Sequence, residues 1–110
     1  MSVVSIATPK HIERMVRRIV RRFQPEKVIL FGSHARGQAG PDSDVDLLVV
    51  LPVTGSKREK AVEIGVAVHD FGFPKDILVT TPEEFEWRKD VIGTIEYPAA
   101  HEGKLLYERT

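Results

Sequence analysis

The chain has 110 residues, 42% of them hydrophobic and 29% charged, and its 16 basic and 16 acidic residues give a formal net charge of zero. This length and composition predict one globular domain, over residues 1–110, with a single core. The absence of cysteine excludes disulfides and zinc thiolates and suits a cytoplasmic protein, and no apolar run approaches the roughly 20 residues that span a bilayer.

The first predicted element is a helix with Thr8 as its N-cap and Pro9 at its first position, ending before Pro25. Its apolar residues recur every three or four positions: Ile12, Met15, Val16, Ile19, Val20 and Phe23. Its other face carries five arginines: Arg14, Arg17, Arg18, Arg21 and Arg22. This face indicates either a solvated surface, or a positive surface that lies near a triphosphate or meets an acidic partner. Nucleic acid is the less favoured partner because no aromatic residues are interleaved for base stacking.

A short apolar run, Val28 to Phe31, is typical of a buried strand, and Gly32 ends it. A glycine here allows a sharp turn and the close approach of a ligand. Residues 33–39 predict a short helix of about two turns, whose N-terminus presents free N–H groups to phosphate oxygens. The Ser33 hydroxyl adds a donor, and Arg36 could reach the same phosphates or brace a carboxylate.

Two carboxylates, Asp44 and Asp46, open the next apolar run, which extends from Val45 to Leu51. Because side chains alternate along a strand, residues two apart share a face and these carboxylates lie close together. Such a pair is unfavourable without a cation, and Mg²⁺ prefers carboxylate and phosphate oxygens. Each motif alone is an ordinary turn or a solvated strand edge, but together they predict chemistry on a nucleoside triphosphate.

The remaining elements are scaffold. Ser56 and Glu59 predict a capping box for a helix that runs to about Phe71, and a third strand follows Pro74. Thr81 begins a last helix, which leads to a closing turn or strand. This order implies an α/β or α+β fold in which helices flank a small mixed sheet, although the order alone leaves the strand directions open.

The motif residues are similar to the signature of the minimal nucleotidyltransferases of the DNA polymerase beta superfamily. The matching segments are Gly32-Ser33, Ala35-Arg36-Gly37, Ser43-Asp44, Asp46-Leu47, Asp76-Ile77-Leu78-Val79 and the tail His101 to Tyr107. The resemblance covers roughly Pro25 to Glu108. It implies the polymerase beta-like fold, with a mixed sheet that carries three carboxylates along one edge of a cleft.

The resemblance also implies roles for individual residues. Asp44 and Asp46 would bind metal as catalytic residues, and Asp76 would assist metal binding or deprotonate the acceptor. The triphosphate would be held by Gly32 and Ser33, with further nucleotide contacts from Arg36 and Ser43. One departure is Lys75, which stands where the family is usually apolar and could pair with Asp76 or point to solvent. His34 falls at a variable position and is interpreted as incidental, with a nucleotide contact as the alternative.

By resemblance, the chain is an antitoxin that uses Mg²⁺, with two ions expected, to transfer AMP from ATP to a tyrosine hydroxyl of a HEPN ribonuclease toxin, releasing pyrophosphate. A chain of this length has little material for an acceptor pocket, so a second copy or a partner protein would present the acceptor. Two alternatives stay open. One is an antitoxin that masks its toxin by contact alone. The other is a nucleotidyltransferase that acts on a small molecule or an RNA end.

Overall fold

The computed structural model describes residues 7–110, so the first six residues of the predicted domain lie outside it. Its helices and strands follow one another in this order: α1 (Pro9–Phe23), β1 (Lys27–Phe31), β2 (Val45–Val50), α2 (Lys57–Ala67), β3 (Lys75–Thr80), α3 (Pro82–Arg88), α4 (Glu96–Glu102) and β4 (Lys104–Glu108). None of the helices among these residues is long and apolar enough to cross a membrane.

The four strands form one mixed sheet in the order β3-β2-β1-β4. Strand β1 lies antiparallel to both β2 and β4, whereas β2 and β3 are parallel. The parallel pair needs a crossover connection, which α2 provides. The predicted small mixed sheet flanked by helices is therefore confirmed, and the structure adds the strand directions.

Helices α1 and α2 cover one face of the sheet, which we call the thick face. Alternate residues of the strands point to it, including Val28, Leu47 and Val79, and meet Met15 and Ile64 from the helices. Within residues 7–110 this cluster contains fifteen buried side chains, four of them from the apolar stripe predicted for α1. The thick face thus holds most of the core.

Helices α3 and α4 cover the other face, which we call the thin face. In the described part of the chain its buried cluster contains five residues: Ile29, Leu48, Val50, Phe85 and Ala99. A polar pair lies beside it, where the Thr80 hydroxyl donates to Glu96 Oε2 at 2.7 Å. Glu96 is 1% exposed, and its other oxygen has no partner among the described residues. The thin face therefore has little apolar material.

The helix starts follow the predicted caps. The side chains of Thr8, Ser56 and Thr81 each accept a hydrogen bond from the backbone N–H three residues later, at 3.2 Å in every case. Each hydroxyl satisfies a donor that the first helical turn leaves free. The end of α1 also agrees, because Gln24 adopts a left-handed conformation that stops the helix before Pro25.

Three boundaries differ from expectation. Residues 33–37 form a hydrogen-bonded turn instead of the predicted short helix. Helix α2 ends at Ala67 and not near Phe71, because residues 68–71 form tighter turns and Arg18 Nη1 binds the Ala67 carbonyl at 3.2 Å. The single helix expected after Thr81 is two helices, separated at Gly93, whose φ of +99° is incompatible with a continuous helix.

Candidate active site

Three aspartates meet where β2 and β3 begin. The parallel register pairs Asp46 with Asp76 directly, and Asp44 lies two residues before Asp46 on the same chain. Strand alternation places the Asp46 side chain on the thin face, as for Leu48. Asp44 and Asp76 are exposed and Asp46 is partly buried. The structure thus brings together the three carboxylates that the sequence predicted.

The charges of Asp44 and Asp76 act on Asp46. Partial burial raises the pKa of Asp46 above its ordinary value of 3.8, and the negative charges of Asp76 and then Asp44 raise this pKa further. The positive charges of His34 and Arg36 act in the opposite direction. A carboxylate that two others make harder to ionise is one that a cation would stabilise in its charged form.

Gly32 lies directly against this cluster. Its φ is +75°, a conformation that side chains rarely adopt, and a Cβ atom added to it would lie 2.3 Å from Asp46 Oδ2. Both the turn and the approach of the carboxylate therefore require glycine. The predicted sharp turn at Gly32 is confirmed, and the structure adds the close approach of a carboxylate of the chain itself. The approach of a ligand to Gly32 stays a prediction.

The turn after Gly32 presents free donors. Ala35 and Arg36 both donate their N–H groups to the Gly32 carbonyl, at 3.1 and 3.2 Å. Among the described residues, neither the N–H groups of Ser33 and His34 nor the Ser33 hydroxyl has an acceptor. The donors expected at a helix N-terminus are thus supplied by a turn, which still suits an anion but lacks the dipole of a helix.

Arg36 points from this turn towards α4. Its Nη1 lies 3.7 Å from Glu102 Oε1, and its Nε donates to Gln38 Oε1 at 3.2 Å. The side chain is exposed, yet its charge still lowers the pKa of Asp46. Arg36 is therefore close enough to influence the carboxylates, and Glu102 is its neighbour. The sequence motif did not predict Glu102, because the contact joins distant segments.

Ser43 and His34 shape the loop before Asp44. The Ser43 hydroxyl accepts the Gly40 N–H at 2.9 Å, and His34 Nε2 donates to the Ser43 carbonyl at 3.2 Å. The interpretation of His34 as incidental was wrong, because its ring joins the turn after β1 to the loop that carries Asp44. Nothing in the local sequence pattern distinguishes this histidine, since the contact depends on how the loop folds back.

Lys75 neither pairs with Asp76 nor points to solvent, so both predictions for its side chain were wrong. Its ammonium group donates to the carbonyls of Phe71 and Phe73, the latter at 3.1 Å, and lies 5.1 Å from the centre of the Phe73 ring. Burial lowers the pKa of this lysine. The side chain points away from Asp76 because neighbouring strand residues face opposite ways. Lys75 instead fastens the turn that leads into β3.

The carboxylates fit a divalent cation only in part. No group of three or more His, Cys, Asp or Glu side chains within residues 7–110 is arranged to hold a metal ion by itself. The effect of Asp76 and Asp44 on Asp46 nevertheless matches a hard cation. Mg²⁺ commonly takes one or two carboxylates and completes its shell with substrate phosphates and water. The donor set therefore fits an ion that binds together with a nucleotide.

The arginine face of α1 lies elsewhere, because α1 packs on the thick face of the sheet. Arg18 pairs with Asp70 and stacks over Phe71, whose ring centre lies 4.7 Å away. The other four arginines have no partner among the described residues. The structure thus places this positive surface on the opposite side of the sheet from the Asp46 carboxylate.

This chain is similar in sequence to known proteins. The model of a family described as "Nucleotidyltransferase domain" matches residues 12–100. A Methanocaldococcus jannaschii protein named "Putative protein adenylyltransferase" is 38% identical over 55 residues, which are 50% of this chain. The match spans only 54% of that relative's own length.

Two solved structures are similar in fold. A structure titled as a putative nucleotidyltransferase from Sulfolobus solfataricus superimposes with a TM-score of 0.56 at 24% identity, covering 91% of this chain and 79% of that one. A Shewanella oneidensis complex, described as a tri-AMPylated HEPN toxin with its MNT antitoxin, gives a TM-score of 0.50 at 16% identity, covering 93% and 74%. The expected nucleotidyltransferase fold is therefore confirmed.

Proposed function

We propose that this chain, which belongs to the nucleotidyltransferase domain family, is a Mg²⁺-dependent adenylyltransferase that moves AMP from ATP to a tyrosine hydroxyl of a partner protein. The partner we propose is a HEPN-type toxin, which makes this chain its antitoxin. The observation that carries the proposal is the meeting of Asp44, Asp46 and Asp76 beside a glycine that has no room for a side chain.

The turn after β1 is proposed to hold the triphosphate. The free N–H groups of Ser33 and His34 and the Ser33 hydroxyl would bind phosphate oxygens, as backbone donors in turns commonly do. Arg36 adds positive charge beside them. Ser43 is proposed to act on the nucleotide through the loop that it shapes with His34.

The aspartates are proposed to organise the transfer. Mg²⁺ bound by Asp44 and Asp46, with help from Asp76, would polarise the α-phosphate and offset the charge on the leaving pyrophosphate. The tyrosine oxygen forms a bond to the α-phosphorus, the bond from that phosphorus to the bridging oxygen breaks, and pyrophosphate leaves. Asp76, whose side chain is exposed, accepts the hydroxyl proton and can pass it to water.

Two comparisons support a protein as the acceptor. The curated relative is named as a protein adenylyltransferase, and the Shewanella oneidensis complex holds an AMPylated HEPN toxin against an MNT antitoxin of this fold. Within residues 7–110 the thin face buries only five residues, and we propose that a partner protein presents its acceptor on this face.

The test is to incubate the protein with the product of the neighbouring gene, ATP and Mg²⁺, and to record intact masses. We expect the mass of the partner to rise by whole AMP units with the wild type. The control is the double variant Asp44→Asn/Asp46→Asn, which should leave the partner unmodified.

Other outcomes would point elsewhere. A partner that binds tightly but stays unmodified would support neutralisation by contact alone and would contradict transfer. A partner that neither binds nor gains mass would contradict the protein acceptor, and small molecules and RNA ends would then be assayed with radiolabelled ATP.

A further inference from the structure

The two edges of the sheet differ in how they are protected. Along the β4 edge, the register shifts between Val28 and Ile29, and the exposed residues Lys104 and Glu108 place charges at both ends of the strand. Irregular pairing and exposed charges are common means of preventing a further strand from adding to an edge. The β3 edge pairs regularly along its full length with β2 and has a mainly apolar middle, Ile77 to Val79.

The outer backbone of β3 is free to pair. The carbonyls of Pro74 and Thr80 accept N–H groups from Val45 and Leu51, which fixes the even-numbered residues of β3 as those that face β2. In a parallel ladder the alternate residues then point away from that neighbour. Ile77 and Val79 therefore direct their N–H and C=O groups outward, and no other strand within residues 7–110 meets them.

A groove of about 520 Å³ lies along this edge, between β3 and α2. Its apolar lining comes from Ala61, Val62, Gly65, Ile77, Val79 and Ile95. Val62 is 60% exposed and Ile95 is 42% exposed, so the apolar surface is open to solvent. Nothing lies within 4 Å of the position that a Cβ atom on Gly65 would occupy. Glycine in a helix often allows another helix to pack closely, but no atom within residues 7–110 packs against Gly65 in this way. Gly65 instead widens the groove.

The charged residues that line the groove are all basic or imidazole groups: Lys57, Arg58, His69 and Lys75. Lys57 pairs with Glu84, and Lys75 is held by carbonyl groups, whereas Arg58 is exposed and has no partner among the described residues. A second copy docked edge to edge would bring these like charges together. An occupant that carries carboxylates is favoured instead.

The groove reaches the first end of β3, where Asp76 lies, although the aspartates themselves do not line it. Lys75, which lines it, immediately precedes Asp76 at the first end of β3. An extended segment that lies along β3 would emerge from the groove beside this carboxylate. Since a strand advances about 3.3 Å per residue, a side chain only a few residues beyond the docked part reaches the site.

We propose that the groove between α2 and the open edge of β3 binds an extended, carboxylate-bearing segment of the acceptor protein, which adds to the sheet and directs the acceptor hydroxyl to Asp76. The inference rests on the proposed function, because the occupant is the protein that receives AMP. Backbone pairing with Ile77 and Val79 supplies affinity, and Arg58 with the apolar lining selects the segment.

The test compares two substitutions at one position. Gly65→Trp fills the groove, whereas Gly65→Ala adds only a methyl group to open space and is the matched control. We expect Gly65→Trp to raise the KM for the neighbouring-gene product at least tenfold while the KM for ATP stays within twofold, and Gly65→Ala to resemble the wild type. Arg58→Glu, which needs no added bulk, should also raise the acceptor KM, by about tenfold. Hydrogen exchange at the amides of Ile77 and Val79 should slow in the complex.

Four outcomes separate this inference from the proposed function. Unchanged acceptor kinetics in both Gly65→Trp and Arg58→Glu would overturn the groove while leaving transfer intact. Protected amides with no mass gain would support the groove and overturn transfer. A product that neither binds nor is modified would overturn both. A wild-type dimer that Gly65→Trp converts to monomer in light scattering would identify a second copy as the occupant and overturn the acceptor segment.

Discussion

The two faces of the sheet are packed to very different extents. Among residues 7–110, the cluster that joins the thick face to α1 and α2 contains fifteen buried residues, and the cluster that joins the thin face to α3 and α4 contains five. Asp46 alternates with Leu48 and so points to the thin face, where a substrate can approach without displacing core side chains. The difference teaches that one strand, β2, contributes to stability with one set of side chains and to the site with the other.

The largest expected effect concerns the carboxylate on the thin face. Asp46→Asn should lower the rate of AMP transfer by roughly 10³-fold, because loss of a metal-binding charge removes several kcal/mol of transition-state stabilisation. The measurement is the initial rate of partner mass gain at saturating ATP. A variant that kept more than a tenth of the wild-type rate would show that the site lies elsewhere.

The same variant should melt at a higher temperature than the wild type. Because burial and the neighbouring aspartates raise the pKa of Asp46, the folded protein holds a proton there more tightly than the unfolded chain. This contribution to stability is present at low pH and is lost as the pH rises through the raised pKa. The difference in Tm between Asp46→Asn and the wild type should therefore grow from acid to neutral pH, measured without Mg²⁺ or nucleotide. A difference that shrank with rising pH would contradict the electrostatic coupling.

Substitutions of two neighbouring leucines on β2 allow the two faces to be compared directly, because both side chains are fully buried. Leu47→Ala, on the thick face, should lower the free energy of unfolding by about 4 kcal/mol, because its close-packed surroundings relax little around a cavity. Leu48→Ala, on the thin face, should cost about 2–3 kcal/mol because fewer packed neighbours hold the cavity open. Chemical denaturation measures both values, and equal costs would remove the distinction between the faces.

Substitution of Gly32 tests whether a side chain is excluded there by the backbone conformation of the turn or by the nearby carboxylate of Asp46. Gly32→Ala should cost about 2 kcal/mol of stability and lower transfer at least tenfold, because its methyl group displaces Asp46. Gly55→Ala is the control: its φ is +95° but nothing lies within 4 Å, so only strain of about 1 kcal/mol is expected. If both variants kept full activity, contact with Asp46 would not matter for the site.

The smallest effect is expected at the polar pair of Thr80 and Glu96, beside the buried cluster of the thin face. Thr80→Val removes the hydrogen bond to buried Glu96 and should cost about 1.5 kcal/mol in thermal or chemical unfolding. Thr80→Ser keeps the hydroxyl and should lose less. If Thr80→Ser were destabilised as much as Thr80→Val, the methyl group of Thr80 would matter as much as its hydrogen bond, and the expected ranking would be wrong.

Local chemistry made much of this fold predictable from sequence. The caps at Thr8, Ser56 and Thr81 act within one turn of helix, so their residues alone predict where α1, α2 and α3 begin. The spacing of Asp44 and Asp46 predicts that they lie close together, because strand alternation is a local rule, and the charge of Asp44 does act on Asp46 although β2 begins only at Val45.

What the sequence did not provide depends on tertiary contacts. Lys75 donates to carbonyls of the preceding turn. Arg36 forms an ion pair with Glu102, which lies far from it in sequence. The turn at residues 33–37 replaces a helix because Gly37, at a φ of +71°, ends the helical conformation within one turn. The parallel direction of β3 likewise follows from where α2 packs and not from any residue in the strand.

The connections between strands differ greatly in length, and this sets an order in which the sheet can assemble. Residues 32–44 separate the paired strands β1 and β2, and residues 51–74 separate β2 and β3. The paired strands β1 and β4 are separated by residues 32–103. Closing the longest connection costs roughly 1.5 kcal/mol more chain entropy than closing the shortest. We therefore expect β1 to pair with β2, which positions Asp46, before β4 pairs with β1. We also expect the site to stay formed when β4 detaches from the edge of the sheet.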